Sequence, residues 1–560
     1  MAVGIDLGTT HCALAFGNEA AIESLAIPQL VGPQEFAAEP LLPSFLYIPS
    51  PGESRALPWG ERSRYIVGRY AQRRGGETLG RLVSSAKSWL SFAGVDRTAA
   101  LLPLNAPEGV AKLSPVTASA EYLAHLRCAW DTAYPDSPLA SQPVILTVPA
   151  SFDAVARELT LRAAGEAGYP EVVLLEEPQA AFYAWIEAHP DWRERVAPGD
   201  HILVVDIGGG TTDFSLIAVR DEGGVLGLER VAVGDHILLG GDNMDLALAR
   251  RAAERLPKLD PLQFQALWQQ CRAAKEALLA PGEAAESYPV TVLGRGSSLV
   301  GGTLRTELRR EEVAQLLLEG FLPLVDRQER PQRPRRAALG ELGLPYAADA
   351  RITAHLAEFL TRSHVAPTHV LFNGGVLRAA AIRQRLLEFL GIPALEGDDL
   401  LMAVARGAAY YGVARGGRGV RIRGGVSRTY YVGIETAMPA VPGAPPPLKA
   451  LTVAPFGMEE GTAHAFPNQT FGLMVGEPAE FRFFSSSSRT QDAAGELLEA
   501  IPLEAEEMPP IEVVLTGEPG VVAVTLESRV TETGVLELWC IARDGRRWKL
   551  EFNVREKVMR

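Results

Sequence analysis

The chain has 560 residues, of which 47% are apolar, so it can form several hydrophobic cores and is too ordinary in composition for a disordered or fibrous protein. Its formal net charge of -14 argues against a nucleic-acid partner, because that role needs a basic face. Cys12, Cys128, Cys271 and Cys540 show no CxxC spacing, and neither a basic leader nor an apolar run of about 18 residues occurs. We therefore expect a soluble cytoplasmic protein with no disulfide, no zinc site and no membrane partner.

The N-terminus combines an apolar strand, an Asp and a tight glycine turn. Val3–Thr10 predicts this arrangement, and Cys12–Phe16 predicts the return strand of a hairpin. A turn without Cβ atoms lets backbone N–H groups approach phosphate oxygens, while the Asp can hold a hydrated Mg²⁺ beside them. Taken alone, such a turn is equally typical of an ordinary β-hairpin.

Strands and helices alternate from residue 1 to about residue 415, as a mixed α/β domain requires. The predicted strands include Val144–Val148, Val172–Leu175, Ile202–Val205 and Val370–Phe372. The predicted helices include Ala154–Ala167, Gln179–Ala188, Asp242–Arg255, Leu262–Leu279, Arg310–Val325 and Ala379–Leu390.

The N-terminal pattern is repeated in Val204–Asp213, which again gives an apolar strand, an Asp and a glycine turn with threonines. Phe214–Val219 predicts the return strand. Neither turn opens onto a helical pattern, and no GxxxxGK[ST] run occurs. Two copies of the pattern in one chain indicate two halves of a single nucleotide site.

The sequence changes character after the glycine-rich stretch Arg415–Gly425. Short alternating strands follow, and Asp544-Gly545 predicts a hairpin turn between Leu536–Ala542 and Trp548–Val554. This part resembles a β-sandwich. Arg327–Arg336 predicts an exposed connection, and Pro439–Pro447 predicts an extended loop.

Further segments resemble the heat shock protein 70 (DnaK-type) chaperone family, in the family's order and at roughly its spacing. They are Val148–Phe152 with Arg157, Leu175–Ala181, Leu239–Asp245 and Phe372–Arg378, together with Gly433–Thr436 and Thr533–Leu536 near the ends of the β-rich part. The resemblance spans the chain and is strongest in residues 1–415.

The resemblance implies an α/β actin-like ATPase, a duplicated ribonuclease-H-like fold with two lobes around a cleft, followed by a β-sandwich that binds substrate. The implied boundaries are residues 1–415 for the nucleotide-binding domain, 416–425 for a linker and 426–560 for the sandwich. We expect no counterpart of the family's helical lid, because no helical pattern follows Val554.

The resemblance also assigns roles to individual residues. Asp6 and Asp206 would hold Mg²⁺ through water, and Pro149 and Arg157 would relay the nucleotide state. The residues implied in catalysis are Lys87, Glu177, Asp206 and Thr211. Those implied in binding ATP are Gly8, Thr9, Thr10, Gly208, Gly209, Gly210, Thr212, Asp213, Gly240, Gly241, Lys275, Gly374, Gly375 and Arg378.

The implied function is an ATP-hydrolysing chaperone that binds extended polypeptide segments. Two alternatives remain: a nucleotide-sensing adaptor for one dedicated partner with little hydrolysis, and a small-molecule kinase on the same scaffold. K⁺ is a further candidate ligand, although His11 stands where the family has Tyr. Arg272, Leu279 and Val376 also depart from the family at the adenine edge, and the linker is basic and glycine-rich where the family's is acidic and leucine-rich.

Overall fold

A computed structural model of the protein describes residues 1–18, 21–53, 56–60, 63–78, 80–92, 94–221, 226–282, 285–294, 302–333, 343–397, 399–415, 422–423, 426, 428–437, 446–458, 461–486, 489, 491–508, 510–531 and 535–553. The chain divides into two compact units, Met1–Arg421 and Ile422–Arg560. Within the described residues, no helix is both long enough and apolar enough to cross a membrane.

The described strands of the first unit include every strand predicted from the sequence. They are β1 (Ala2–Leu7), β2 (His11–Gly17), β3 (Ile22–Ser24), β4 (Ile27–Gly32), β5 (Glu35–Glu39), β6 (Leu42–Pro43), β7 (Leu46–Tyr47), β8 (Ile66–Val67), β9 (Leu82–Val83), β10 (Val144–Val148), β11 (Val173–Glu176), β12 (His201–Ile207), β13 (Thr212–Asp221), β14 (Leu226–Val233), β15 (Ser287–Leu293), β16 (Thr303–Arg309), β17 (His369–Asn373) and β18 (Ala394–Leu395).

The described α-helices all belong to the first unit and include the six predicted ones. They are α1 (Arg69–Glu77), α2 (Ala86–Ser91), α3 (Pro115–Ala133), α4 (Ala154–Glu166), α5 (Glu177–Ala188), α6 (Trp192–Arg195), α7 (Gly241–Ala253), α8 (Pro261–Leu278), α9 (Arg310–Gly320), α10 (Ile352–Ser363), α11 (Ala380–Leu390) and α12 (Ala403–Arg415).

One helix ends earlier than its pattern predicted. The apolar periodicity of Arg310–Val325 continues past residue 320, but α9 ends at Gly320. Pro323 lacks the backbone N–H that a helix needs and disfavours helical backbone at the residue before it, so the helix stops before the apolar pattern does.

Two sheets of the first unit share one topology. The first has the order β11-β10-β1-β2-β3, and the second contains β18-β17-β12-β13-β14. In the first sheet β11, β10 and β1 are parallel, and in the second β18, β17 and β12 are parallel. The remaining neighbours in these two orders pair antiparallel. The repeated hairpin pattern of the sequence is therefore a repeat of a whole sheet, and we call the sheets with their separate cores the first and second halves.

Helix α12 packs against the first half with unusually close backbone contact. A Cβ atom at Gly407 would lie 1.7 Å from the carbonyl oxygen of Ala180 in α5. Small residues on α12 also pack on β2, where Ala405 and Ala409 join Ala13 in a small apolar cluster. The absence of side-chain bulk at residue 407 is thus what lets the two helices cross so closely.

The second unit is built from strands in its described residues, as predicted. They are β19 (Ile422–Arg423), β20 (Thr429–Glu435), β21 (Leu448–Ala454), β22 (Ala463–Val475), β23 (Pro478–Phe481), β24 (Phe483–Ser486), β25 (Leu497–Leu498), β26 (Glu506–Glu507), β27 (Ile511–Val514), β28 (Gly520–Val530), β29 (Val535–Ala542) and β30 (Arg547–Asn553).

Two sheets of the second unit, β25-β21-β20-β24-β26 and β22-β28-β29-β30, share one hydrophobic core, which gives a sandwich of two layers. Asp544-Gly545 joins β29 to β30, as predicted. Most of the predicted linker and of Pro439–Pro447, the end of Arg327–Arg336 and the first two residues of the Thr533–Leu536 segment lie outside the described residues.

We expect Gly407→Ala to destabilise the protein, because the added Cβ meets the backbone of α5 rather than a side chain that can move. The expected cost is about 2 to 3 kcal/mol in the free energy of unfolding, typical of an overpacked core. Urea unfolding followed by fluorescence measures it.

Gly165→Ala in α4 is the matched control, since a Cβ there meets no atom within 4 Å and Gly165 is exposed. It should stabilise by about 0.5 to 1 kcal/mol through the higher helix propensity of Ala. Equal effects of the two substitutions would contradict the proposed packing.

Candidate functional site

The two glycine turns of the repeated hairpins lie face to face. The first turn joins β1 to β2, and the second joins β12 to β13. A Cβ atom at Gly209 would lie 2.0 Å from Cγ2 of Thr10, and one at Gly210 would lie 2.6 Å from Cγ2 of Thr9. Any side chain larger than hydrogen at these glycines would force the turns apart. The close approach of the turns therefore depends on glycine at both positions.

Each turn is held by its own neighbours. Ser44 braces the first turn, because its hydroxyl donates to the carbonyl of Gly8 at 2.7 Å. The start of α7 braces the second turn, where the N–H groups of Gly241 and Asp242 donate to the carbonyls of Gly208 and Gly209 at 3.0 and 2.7 Å. The geometry of both turns is therefore fixed by the folded unit.

A cleft opens beside these turns, with an empty volume of about 1450 Å³ including the space at its mouth. Most of the residues assigned to the site from the sequence line it. They are Asp6, Gly8, Thr9, Thr10, Lys87, Glu177, Asp206, Gly208, Gly209, Thr211, Gly241, Lys275, Gly374, Gly375 and Arg378.

Six of the assigned residues are not among those that line the cleft. Gly210 packs on Thr9, the hydroxyl of Thr212 donates to the carbonyl of Leu239 at 2.7 Å, and the N–H of Gly240 donates to the side chain of Asn243 at 3.0 Å. These residues shape the cleft from behind its surface. The six are Gly210, Thr212, Asp213, Gly240, Pro149 and Arg157.

Three carboxylates and one lysine meet at the base of the cleft. The Lys87 ammonium pairs with Glu177, and both side chains are largely buried. Burial, and then the charge of Glu177, raises the pKa of Asp6 to about 7. Burial and Glu177 also raise the pKa of Asp206 well above its ordinary range. Burial acts to lower the pKa of Lys87, but Glu177 and Asp6 outweigh it, so the net shift is upward and the lysine stays charged.

This charge pattern suits a hydrated divalent cation. Among the described residues, no group of three His, Cys, Asp or Glu side chains is arranged to bind a bare metal ion directly. Asp6 and Asp206 instead present two carboxylates that are crowded in a buried place, where positive charge would relieve the crowding. Asn373 donates to Asp206 at 2.7 Å, and its own buried Oδ1 has no hydrogen-bond partner among the described atoms. A water bound to a cation would supply the missing donor, so these residues fit Mg²⁺ held through water.

Charged residues also form the rim of the cleft near Lys275. Arg272 pairs with Asp242 and donates to Asp245 at 2.9 Å, and the Lys275 ammonium lies 2.6 Å from the same Asp245 carboxylate. The Arg272 guanidinium lies over the ring of Phe45, 5.6 Å from its centroid. Arg272, which departs from the family pattern, is thus held in place by two carboxylates and an aromatic ring.

His11 also lines the cleft, beside the first turn. Burial, followed by the charges of Arg272 and Arg69, lowers the pKa of His11 to about 4, so its ring is neutral at physiological pH. Its Nδ1 lies 3.3 Å from the hydroxyl of Thr10. A neutral imidazole at this position adds no positive charge next to the turns.

Asp213 faces a polar cluster instead of the cleft. Its carboxylate accepts a hydrogen bond from the Ser151 hydroxyl and lies 3.2 Å from Nδ1 of His236. Ser151 and His236 are themselves 2.9 Å apart. Burial acts to raise the pKa of Asp213, but His236 and the hydrogen bonds lower it below its ordinary range. The cluster joins the second turn's return strand to the loop that contains Pro149.

Several lining residues were not assigned from the sequence. Asn373 lies in the Phe372–Arg378 segment and is the last residue of the buried strand β17, which is a usable signal because strand ends carry site residues in α/β folds. Leu400, Leu401 and Val404 line the cleft only because the chain turns into α12 there, and no local pattern indicated that.

Comparisons with known proteins identify the family. Residues 83–333 match the family model described as Hsp70 protein. The chain is 30% identical over 420 residues to the chaperone protein HscA homolog of Bordetella pertussis, and 31% identical over 434 residues to that of Azotobacter vinelandii. These alignments cover 73% and 75% of this chain but only 57% and 58% of the relatives, so the chain spans under two thirds of their length.

The raised pKa of Asp6 gives a test of how costly its negative charge is in this buried site. Unfolded Asp titrates near pH 4, whereas folded Asp6 titrates at about 7, so the folded state binds an extra proton between these values and loses stability as the pH rises through them. Without cations or nucleotide, Asp6→Asn should therefore raise the melting temperature at pH 8 by at least about 3 °C. The gain should vanish at pH 5, where Asp6 is already protonated.

Thermal unfolding in a chelating buffer measures this difference. Asp544→Asn is the control, because Asp544 is exposed and Arg546 lowers its pKa, so removing its charge brings no gain at pH 8. An Asp6→Asn protein that melts below the wild type at pH 8, or keeps its advantage at pH 5, would contradict the raised pKa of Asp6.

Proposed function

The chain belongs to the Hsp70 family, and from that premise we propose that it is an ATP-dependent chaperone in which ATP hydrolysis in the first unit controls the binding of polypeptide segments by the second. In this proposal the first unit is a two-lobed actin-like ATPase, and the two halves are its lobes. The repeated sheet topology supports this assignment.

One observation carries the proposal. The two glycine turns touch beside a cleft whose base holds Asp6, Asp206, Glu177 and Lys87. Turns of this kind cradle phosphates with their backbone, and the buried carboxylates require positive charge. A triphosphate with Mg²⁺ satisfies both requirements at once.

The residues of the cleft divide the chemistry between them. Asp6 and Asp206 would hold Mg²⁺ through its water shell, and the cation would neutralise charge on the phosphate oxygens. The backbone N–H groups of the two turns would orient the phosphates. Lys87, kept charged by its carboxylate neighbours, would stabilise negative charge that develops on the γ-phosphate.

Glu177 would orient the attacking water. It begins α5 at the base of the cleft, and its pairing with Lys87 fixes its carboxylate. Most of the catalysis in phosphoryl transfer comes from such positioning and from electrostatic stabilisation. Thr211, on the second turn, would contribute its hydroxyl to the same region.

The opposite end of the nucleotide would lie at the charged rim. Gly374, Gly375 and Arg378 come from the segment after β17, and Lys275 comes from α8. Arg272 would then place a positive charge beside the adenine ring, at a position where the resembled family has Glu. ATP remains the proposed nucleotide because the residues proposed to bind the phosphates and the cation are all present at the base of the cleft.

Replacing Lys87 tests the proposed hydrolysis. We expect Lys87→Met to reduce ATP turnover by at least about 100-fold, the typical cost of losing one preorganised stabilising group. ATP affinity should change much less, because the glycine turns and the rim are untouched. A coupled steady-state assay and calorimetry measure the two quantities separately.

Lys112→Met is the matched control, since Lys112 is exposed and donates to the carbonyl of Leu104, away from the residues that line the cleft. It should hydrolyse ATP at the wild-type rate. Wild-type turnover no higher than that of Lys87→Met would count against an ATPase and favour an adaptor that senses nucleotide.

Coupling to the second unit is tested by hydrogen exchange in residues 426–560. We expect ATP with Mg²⁺ to change amide protection there, and an unfolded model polypeptide to protect part of the sandwich in a nucleotide-dependent way. Asp206→Asn, which removes one of the two carboxylates proposed to hold the cation, should abolish the nucleotide response. Capture of a single stoichiometric partner, with no binding of unfolded polypeptide, would contradict a general chaperone.

A further inference from the structure

We propose that Arg157 and Arg230 together hold Glu176 as a clasp between the two halves of the first unit, and that this clasp positions the catalytic Glu177. The inference rests on the proposed ATPase function and adds Glu176 and Arg230 to it as positioning residues. Neither of them was assigned a role from the sequence.

The clasp is a buried group of three charges. Nη2 of Arg157 lies 2.9 Å from Oε1 of Glu176, and Nη1 of Arg230 pairs with Oε2 of the same carboxylate. The side chains of Arg157, Glu176 and Arg230 are only 1%, 4% and 10% exposed. Each carboxylate oxygen thus has its own guanidinium in a place that water hardly reaches, where such bonds are strong and costly to leave unpaired.

The three residues come from both halves. Glu176 ends β11, which is the edge strand of the first sheet. Arg157 lies on α4, whose apolar face packs in the core of the first half. Arg230 lies on β14 in the second sheet. The carboxylate is therefore a direct tie between the two sheets that surround the cleft.

The clasp is adjacent in sequence to the proposed catalytic carboxylate. Glu176 is the residue that precedes α5, and Glu177 is the first residue of that helix. A shift of the Glu176 backbone must move Glu177 as well, since one peptide bond joins them. Because Glu177 pairs with Lys87, the clasp sets the distance between the carboxylate and the lysine.

Arg157 extends the clasp to the loop of residues 149–152. Its guanidinium donates to the carbonyl of Phe152 at 3.2 Å and to those of Pro149 and Ala150 at 3.4 Å. Ser151 of this loop bonds to Asp213 in the second half. The loop is therefore connected to the second half through the clasp and through Asp213 and His236.

This arrangement links the closure of the cleft to the alignment of Glu177. If the halves separate at Arg230, Glu176 loses the Arg230 guanidinium while it remains buried, which is unfavourable. Intermediate separations are disfavoured, so the halves should move between two discrete arrangements. Glu177 would be aligned in only one of them.

The test compares Arg230→Met with Arg220→Met in the full-length protein. Arg220 lies on the same β13–β14 hairpin, but its pair with Glu229 is exposed. We expect Arg230→Met to speed amide hydrogen exchange in residues 173–177 at least about tenfold, with or without nucleotide, while Arg220→Met leaves it unchanged. Arg230→Lys, which keeps the charge, should restore protection in part.

Turnover gives the second measurement. Arg230→Met should lower kcat at least about tenfold and change KM for ATP less than about threefold, because the groups that bind the nucleotide remain. Equal exchange rates in the two methionine variants would overturn the clasp, whatever the activity. If the exchange difference is found but the wild type hydrolyses no ATP, the clasp stands as a tie between the halves and the proposed ATPase function fails.

Should Arg230→Met fail to fold, Arg230→Lys and Glu176→Gln take its place. Glu176→Gln keeps the shape of the side chain and removes the charge that both arginines share. Faster exchange in residues 173–177 and lower kcat are again expected. Wild-type exchange and wild-type kcat in both variants would overturn the proposal.

Discussion

The close approach of two backbone turns is the constraint from which the rest of the first unit follows. Gly209 and Gly210 can touch Thr10 and Thr9 only because they have no side chains. Each turn comes from a hairpin of its own sheet, so the contact also fixes how the two sheets face each other. Most residues that line the cleft are carried on these sheets, on their turns or on the helices that follow their strands. The duplication of the sheet thus creates a site that neither half forms alone.

Electrostatics then limit what the cleft can accept. Asp6 and Asp206 come from equivalent positions of the two hairpins, so bringing the turns together also brings two carboxylates together. Glu177 adds a third negative charge, and Lys87 compensates for only part of the total. Burial, and then the charge of Glu177, raises the pKa values of Asp6 and Asp206, and a hydrated divalent cation would offset the cost of the buried charge. The site is therefore organised around positive charge that the chain does not fully supply.

Much of this could be predicted from the sequence, because the decisive patterns are local. Residues close together in the chain determine the hairpins, the alternating strands and helices, and the Asp544-Gly545 turn. The contacts of Asp213 could not be predicted, since Ser151 and His236 approach it only after both halves have folded. Helix α12 has no marked apolar face, because it is covered on several sides, and its periodicity therefore carried little signal.

The pairing of Glu176 with two arginines is another contact that the sequence could not predict. The sequence drew attention to Glu177 through its resemblance to a family motif, whereas Glu176 gains its importance from Arg157 and Arg230, which lie far away in the chain. A buried carboxylate with two arginines is visible only once the fold is known. The resemblance predicts which residues carry the chemistry, and the proposed clasp would let the two halves control it.

A crystal structure of the protein with a non-hydrolysable ATP analogue and Mg²⁺ tests the central claim most directly. The account predicts that the β- and γ-phosphates lie between the two glycine turns, with the cation bound through water to Asp6 and Asp206. Phosphates bound elsewhere, or turns that lie apart when the nucleotide is present, would contradict it.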